Sequence, residues 1–257
     1  MAEPVTQLSI TPLREIPLVQ SGDNLAEIIG NAVDASSMPL IDGDVVVVAQ
    51  KIVSKAEGRL VSLEDVQPSE AALKLAKRTN KDPRMVELIL RESTDVVRAV
   101  PGIIIVRHRL GIVSANAGID QSNIDHGEGE CALLLPEDPD RSAQQLREGL
   151  QQRTGKRLGV IISDSVNRPW RLGSIGIAIG CAGVKALDDR RGTSDLYGRE
   201  LKITMSNRAD SIATAALMVM GEAAERIPAA IVRGFTPDDS GQSARESVRP
   251  PEEDLFL

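Results

Sequence analysis

The chain has 257 residues, of which 42% are hydrophobic and 26% charged, a globular composition that is long enough to bury a full core. Its formal net charge of −7 and the lack of a long basic run argue against a nucleic acid as partner. No apolar stretch reaches the length of a membrane span, and the first ten residues carry no export signal, so we expect no membrane association and a cytoplasmic location.

The rare residue types limit the chemistry further. One tryptophan, one tyrosine and two phenylalanines are too few for a platform that stacks single-stranded bases. Cys131 and Cys181 cannot form a disulfide framework or a zinc site on their own. His108 and His126 leave little material for a His-rich metal site or a Ser-His-Asp triad. We therefore expect any bound nucleotide to be held by main chain, lysine, arginine and metal ions.

The first half of the chain mixes helix and strand signals. Asp23 can cap a helix, and Asp82 followed by Pro83 is typical of a helix start. Pro101-Gly102, between two β-branched runs, predicts a hairpin turn. In chain order we predict a helix over residues 24–34, a strand over 44–49, helices over 69–79 and 83–92, and strands over 96–100 and 103–107.

The second half continues this mixed order. Gly155 is interpreted as a helix stop, and the glycine-rich stretch 173–180 as close backbone packing in a strand or turn. Residues 237–257 are predicted to form a polar surface tail, with docking of Leu255 and Phe256 on a partner subunit as an alternative. The remaining predictions are strands over 111–115, 158–163 and 229–233 and helices over 142–154 and 210–226. Hairpins beside strand–helix alternation favour an α+β (mixed α/β) fold.

Two segments place an aspartate where a strand is predicted to give way to a polar loop: Asp120 within 116–123, and Asp164 within 163–170. Magnesium and manganese take hard oxygen ligands, and Asp120, Asp164 and the hydroxyl of Ser165 fit that need. The alternative for each aspartate alone is a turn-forming or capping role. The polar neighbours Asn123, Asn167, Arg168 and Arg171 favour a site.

Two further elements carry charge. Lys51, Lys55 and Arg59 follow the predicted strand 44–49 and could neutralise a polyphosphate, or could equally lie on a solvated edge strand. Spacing alone does not separate these two interpretations. Residues 220–222, MGE, interrupt the long apolar helix with a glycine and an acid, and a solvated helix-end carboxylate is the plain alternative for Glu222.

Together these segments resemble one family, the coenzyme F420-0:L-glutamate ligases (gamma-glutamyl ligases). The resemblance runs in the family's order over roughly residues 13 to 235, nearly the whole chain. The stretches that carry it are 16–19 (IPLV), 53–59 (VSKAEGR), 116–123 (NAGIDQSN), 155–157 (GKR), 164–165 (DS), 183–185 (GVK), 195–201 (DLYGREL) and 220–222 (MGE).

The resemblance implies a ligase that adds L-glutamate through a γ-linked amide to coenzyme F420-0, with F420-1 as a further acceptor, at the expense of GTP. It implies Mg²⁺ or Mn²⁺, help from K⁺, and an intertwined homodimer with mixed sheets and hairpins. By the family's motifs, metal would be bound by Asp120, Asp164, Ser165 and Glu222. GTP would be held by Ile16, Pro17, Leu18, Val19, Gln50, Lys51, Lys55 and Asn123.

We assign residues 6–236 to the ligase domain, with two subdomains as an open alternative, and expect no flavin-binding second domain. Asp120, Asp164 and Arg168 are the candidate catalytic residues, and Arg168 and Arg171 are candidates for gripping substrate carboxylates. The chain departs from the family at Asn167, where glycine is common; asparagine tolerates a left-handed backbone better than most residues. A metal-dependent small-molecule kinase and a nucleotide-binding regulator without turnover are the competing hypotheses.

Overall fold

The fold is organised around one five-stranded sheet. The structure, a computed structural model, describes residues 7–124, 126 and 129–254. Across the main sheet the strands are β1 (Ser9–Leu13), β12 (Ala229–Arg233), β2 (Val45–Ala49), β8 (Gly159–Asn167) and β9 (Ser174–Ala182). Neighbouring strands are antiparallel except β2 and β8, which are parallel. The mixed α/β class predicted from the sequence is confirmed.

Helices pack on both faces of this sheet. The helices α1 (Leu25–Ala35) and α5 (Pro139–Thr154) cover one face, where Ile29, Leu146 and Leu150 pack against strand residues such as Val48 and Ile162. The helix α6 (Arg208–Met220) covers the other face. Each face of the sheet carries its own core, and alternating residues of β2 pack into one or the other. Both faces of this strand are therefore buried, which explains its continuous run of apolar residues.

Three predicted helix boundaries were wrong. Asn24, and not Asp23, caps α1, because the Asp23 carboxylate turns back to accept from the backbone N–H of Gln20. The helix α5 begins at Pro139, three residues before the predicted start, with Asp138 as its cap. The helix α6 ends at Met220 and not at residue 226, because Gly221 adopts φ +74°, which breaks the helical path.

The lysine-containing segment after β2 folds as the helix α2 (Gln50–Ala56). The alternative of a solvated edge strand was therefore wrong. Ile52 and Val53 are buried on this helix while Lys51 and Lys55 are partly exposed, so α2 presents its lysines on one side and packs with the other.

The glycine-rich stretch packs closely, as predicted, because β9 lies directly against two helices. A Cβ on Gly176 would come within 2.6 Å of the backbone oxygen of Ala213 in α6. A Cβ on Gly180 would come within 2.2 Å of the backbone oxygen of Pro139 in α5. Only glycine allows the strand and the helices to approach to this distance.

A separate core forms around the helices α3 (Glu70–Thr79) and α4 (Pro83–Arg91), with Leu88 and Ile89 at its centre. The predicted hairpin is confirmed in its sheet, with Pro101-Gly102 at the turn. This sheet consists of β4 (Ser93–Val100), β5 (Ile103–His108) and β6 (Val113–Ala115). Two small sheets pair β3 (Leu60–Ser62) with β7 (Cys131–Leu133) and β10 (Leu187–Asp189) with β11 (Met205–Asn207). Short 3-10 turns lie at Leu63–Asp65, Asn116–Gly118, Ala244–Ser247 and Pro251–Glu253.

The segment predicted as a surface tail is held against the body as far as residue 254. Ala244 is buried in the core beneath α6, and its backbone N–H donates to Asp140 at 2.8 Å. The side-chain oxygen of Gln242 accepts from the backbone N–H of Leu187 at 3.0 Å. Leu255 and Phe256 lie outside the described residues. Within the described part of the chain, no helix is both long and apolar enough to cross a membrane.

Candidate active site

The site is built where two parallel strands end side by side. In the register of β2 and β8, Ala49 is opposite Ser163, so the next residues, Gln50 and Asp164, lie together at this edge of the sheet. Ligands of open α/β sheets bind beyond the carboxyl ends of parallel strands. The prediction that a loop begins at Asp164 was wrong, because the antiparallel partner β9 keeps residues 164–167 in the strand beyond a register shift at Ile162/Ser163.

Asp164 is partly exposed toward the cleft, although many protein atoms surround its carboxyl group. Its carboxylate accepts from the backbone N–H of Ser165 at 2.9 Å, and the side chain of Gln50 acts to lower its pKa. Burial raises the pKa of the Asp164 carboxyl to about 7, and the nearby charge of Asp120 acts in the same direction. The structure therefore brings the two predicted aspartates close enough for the charge of Asp120 to act on Asp164.

Asp120 reaches the site from a different part of the chain. Its backbone pairs with Leu133 through two hydrogen bonds, which fixes it beside β7. Its carboxylate contacts the ammonium group of Lys51 at 2.6 Å and accepts from the backbone N–H of Ser122 at 2.6 Å. Burial acts to raise the pKa of Asp120, but these two contacts outweigh it and the pKa is lowered.

The loop that carries Asp120 crosses to the opposite wall of the site. The ammonium group of Lys55 donates to the backbone oxygen of Asn123 at 2.9 Å. The side chain of Asn123 donates to the backbone oxygen of Ala223 at 3.1 Å, in the segment after α6. Asn123 adopts φ +55°, a left-handed conformation that asparagine tolerates well.

These elements surround a cleft of about 1060 Å³, at the large end of the range for small-molecule sites. All eight residues predicted to hold the nucleotide line it, from the 16–19 segment, α2 and the 116–123 loop. They are Ile16, Pro17, Leu18, Val19, Gln50, Lys51, Lys55 and Asn123. Asp164, Ser165 and Glu222 line the same cleft.

Not every predicted site residue faces the cleft. Arg168 and Arg171 lie in the exposed turn between β8 and β9 and do not contribute to its lining.

Both carboxylate oxygens of Glu222 accept from the hydroxyl of Ser174, at 2.7 and 2.5 Å. Among the described residues, no cluster of three or more His, Cys, Asp or Glu side chains forms a ready-made metal site.

The sequence pattern does not predict one wall of the cleft. Residues 223–228, which follow α6, line it together with Leu217, whereas the sequence places 223–226 inside a helix. Gly221 and Pro228, a possible helix stop and a break before β12, are the sequence signals that could have revealed a loop there. His126 and Cys131 also line the cleft.

Comparison with known proteins gives consistent results. The sequence model of the family described as F420-0:gamma-glutamyl ligase matches residues 14–234. A Methanopyrus kandleri protein named coenzyme F420:L-glutamate ligase is 49% identical, over 97% of this chain and 97% of its own length. Proteins of the same name from Methanothermobacter thermautotrophicus and Methanocaldococcus jannaschii are 46% and 44% identical. The first match covers 97% of this chain and 98% of the relative, and the second covers 94% of each.

Proposed function

The chain belongs to the F420-0:gamma-glutamyl ligase family, a family of coenzyme F420 biosynthesis, and on that premise we propose the reaction in detail. The protein adds L-glutamate through a γ-linked amide to coenzyme F420-0, and then to F420-1, while GTP is hydrolysed to GDP and phosphate. The observation that carries this proposal is the cleft at the ends of β2 and β8, in which lysines and an aspartate with a raised pKa lie together.

The chemistry requires an activated acyl group, because a free carboxylate is a poor electrophile. The terminal phosphoryl group of GTP passes to the lactyl carboxylate of the precursor, which gives an acyl phosphate and GDP. The amine of glutamate then attacks the acyl carbon, the carbon–oxygen bond to phosphate breaks, and inorganic phosphate leaves. Positioning and charge neutralisation supply most of the catalysis in phosphoryl transfer.

The nucleotide is proposed to occupy the cleft along α2. Lys51 and Lys55 provide positive charge for the phosphates, and Leu18, which is 73% exposed, offers apolar surface at the rim. Gln50 and Asn123, which also line the cleft, are proposed to border the bound nucleotide. Ile16 and Val19 are themselves buried, which fixes the segment that carries Pro17 and Leu18.

Asp120, Asp164, Ser165 and Glu222 are proposed to hold Mg²⁺ or Mn²⁺, with K⁺ as a helper ion. The residues present fit such an ion, because Asp164, Ser165 and Glu222 line the same cleft and Asp120 lies close enough for its charge to act on Asp164. Carboxylate and hydroxyl oxygens are the ligands that these hard cations prefer. A bound divalent cation supplies charge neutralisation on the phosphates.

Arg168 is proposed to bind the substrate carboxylates. Because it lies in the exposed turn outside the cleft lining, it can reach only a substrate that projects beyond the rim. A guanidinium group pairs with a carboxylate through two parallel hydrogen bonds. The F420 precursor and the growing glutamyl chain carry such carboxylates.

A homodimer is the proposed assembly. The sheet formed by β4, β5 and β6 exposes apolar side chains, among them Val96, Val97, Ile103 and Val113, each between 38% and 46% exposed. Exposed apolar patches commonly mark protein–protein contacts. Light scattering on the full chain should give twice the 27.5 kDa mass of one copy, and a mass of one copy at micromolar concentration would contradict this assembly.

The deciding experiment is mass spectrometry of the precursor after incubation with the protein, GTP, Mg²⁺ and L-glutamate. Stepwise addition of glutamyl units supports the ligase. A precursor that gains phosphate without consuming glutamate would instead indicate the kinase. An unchanged precursor with a folded, nucleotide-binding sample would indicate the regulator and overturn the ligase.

Asp164→Ala tests the site directly. Removing the carboxylate takes away the proposed metal ligand that faces the phosphates, so we expect glutamate-dependent turnover to fall about 1000-fold, which corresponds to about 4 kcal/mol of lost transition-state stabilisation. The matched control is Asp34→Ala, since Asp34 is exposed on α1 and pairs with Arg153 away from the cleft. Turnover of Asp164→Ala within threefold of the control would contradict the assignment.

A further inference from the structure

The helix α2 buries two polar side chains, Gln50 and Ser54. The proposed reaction gives no role to Ser54. Gln50 is 3% exposed and Ser54, one helical turn later, is completely buried. The hydroxyl of Ser54 donates to the side-chain oxygen of Gln50 at 2.9 Å. Burying polar groups costs free energy unless they are hydrogen-bonded. A buried polar pair on the packed side of a helix therefore indicates a role beyond packing. Ser54 itself does not line the cleft.

The hydrogen bond from Ser54 determines which way the Gln50 amide faces. An amide has one accepting oxygen and one donating NH₂ group, whereas an ionised carboxylate can only accept. The oxygen of Gln50 is taken by Ser54. Its NH₂ group is therefore the part of the amide that is left for Asp164, which lies beside Gln50 in the β2–β8 register and whose pKa Gln50 acts to lower. The opposite orientation would turn the amide oxygen toward the carboxylate, where two acceptors repel each other.

The carboxylate of Asp164 is thereby held from two sides. The backbone N–H of Ser165 donates to one of its oxygens within β8. The Gln50 amide lies on the α2 side and acts to lower the pKa of this carboxyl. The parallel pairing of β2 with β8 sets Gln50 beside Asp164, so the amide bridges two elements that are distant in the chain. Both residues line the cleft.

We propose that Ser54 is a positioning residue for the ligase reaction: its hydroxyl orients the Gln50 amide, and the amide holds the carboxylate of Asp164 in the direction of the nucleotide and its divalent cation. This inference rests on the proposed function, because it assigns a role at the same site. Ser54 acts through Gln50 and touches neither substrate nor cation. Residues that orient metal-binding groups typically change metal affinity or activity by about 10- to 100-fold when they are removed.

The test is a double-mutant cycle of Ser54→Ala and Gln50→Met, measured on the full chain by kcat for glutamate addition. In the wild-type background, Ser54→Ala should lower kcat about 10- to 100-fold. In the Gln50→Met background, the same change should lower kcat less than about twofold, because the amide through which Ser54 acts is already gone. An equal loss in both backgrounds would show a merely structural role and overturn the proposal.

A second measurement does not depend on turnover. Titration of the free protein with Mn²⁺, followed by electron paramagnetic resonance, should show about tenfold weaker binding in Ser54→Ala than in wild type. The control is Thr79→Val, which removes another completely buried hydroxyl, bonded to Leu75 at 2.8 Å in α3. Thr79→Val should leave Mn²⁺ binding and kcat unchanged. If Ser54→Ala does not fold, Ser54→Cys, of similar size but with a weak donor, replaces it with the same expected results.

The proposed reaction and the role of Ser54 are tested by different outcomes. A wild-type chain that adds no glutamate would overturn the proposed function. A wild-type chain that adds glutamate, with the same kcat and the same Mn²⁺ affinity as Ser54→Ala, would overturn only the role of Ser54.

Discussion

Asp120 and Asp164 carry the same carboxyl group and lie in the same site, yet their pKa values shift in opposite directions. Burial by itself acts to raise the pKa of each of them. For Asp120 this is outweighed by the ammonium group of Lys51, in direct contact at 2.6 Å, and by the backbone N–H of Ser122. Asp164 lacks a contact with a cation among the described residues, and the charge of Asp120 raises its pKa further. The charge of Lys51 already acts to lower the pKa of Asp164, and a cation bound beside it would lower that pKa further.

Lys51→Met tests whether Lys51 serves the nucleotide as well as Asp120. Methionine keeps the apolar stem and removes the ammonium group. A hydrogen bond to a charged group contributes about 1.5–3 kcal/mol, so we expect KM for GTP to rise about 10- to 100-fold. Steady-state kinetics at varied GTP concentration measures this change.

The matched control is Lys74→Met on α3, whose lysine is 80% exposed and forms only a surface pair with Glu70. Its KM for GTP should equal that of the wild type. An unchanged KM in Lys51→Met with a reduced kcat would show that Lys51 serves Asp120 alone.

At the scale of elements, the contact between β9 and the start of α5 depends on one glycine. Gly180 lies so close to Pro139 that an added Cβ would be 2.2 Å from its backbone oxygen. The same junction is fixed by the Asp140 carboxylate, which accepts from the backbone N–H of Cys181 at 2.8 Å. Both contacts involve backbone, which cannot rotate away as a flexible side chain can.

Gly180→Ala is therefore expected to lower the free energy of unfolding by about 3 kcal/mol, the upper end of the usual cost of overpacking. Urea unfolding at pH 7 measures the change. Gly129→Ala is the control, because its new Cβ would approach only the flexible carboxylate end of Glu64, at 3.2 Å. Equal stabilities of the two variants would contradict the close packing of β9 on α5.

At the scale of the whole molecule, the core beneath α1 and the core around α3 and α4 are connected near Glu92, which follows α4. Its carboxylate contacts Arg59 at 3.0 Å, Arg109 at 3.2 Å and the ring of His108 at 3.4 Å. Arg59 also donates to the backbone oxygen of Leu135, which belongs to the core beneath α1. Burial acts to raise the pKa of Glu92, but the nearby His108 ring and the charges of Arg109 and Arg59 lower it to about 2.

This shift predicts how stability depends on pH. The pKa of Glu92 is lower in the folded chain than its ordinary value of 4.5. Its contribution to the free energy of unfolding is therefore complete above pH 4.5 and is lost as the pH falls toward 2. The contribution amounts to about 3 kcal/mol at neutral pH. Glu92→Gln should therefore destabilise the protein most at pH 7, and its difference from wild type should shrink between pH 4.5 and pH 3.

Urea unfolding of both chains at pH 7, 5, 4 and 3 measures this difference. Glu70→Gln, which removes the exposed partner of Lys74, is the control and should show no such pH dependence. A difference between Glu92→Gln and wild type that stays constant from pH 7 to pH 3 would contradict the assignment of the pKa.

Much of the secondary structure follows from short-range signals. The β-branched run of β2, the Pro83 start of α4, the Pro101-Gly102 turn and the Gly155 helix stop are all local, and each is confirmed. Local rules failed where a distant segment competes for the same hydrogen bonds. The strand β8 continues past Ser163 only because β9 pairs with it, and no signal within 164–167 reports that partner.

The site shows the same division. The sequence by itself determined the chemical groups, namely the two aspartates, the lysines after β2 and the motifs of the family. Only the tertiary structure decided that Gln50 and Asp164 are neighbours, because parallel pairing of β2 with β8 joins segments far apart in the chain. It also decided that Lys51 meets Asp120 and that the segment after α6 forms a wall of the cleft. Sequence patterns encode local backbone preferences, whereas pKa shifts and cleft walls arise from contacts between distant residues.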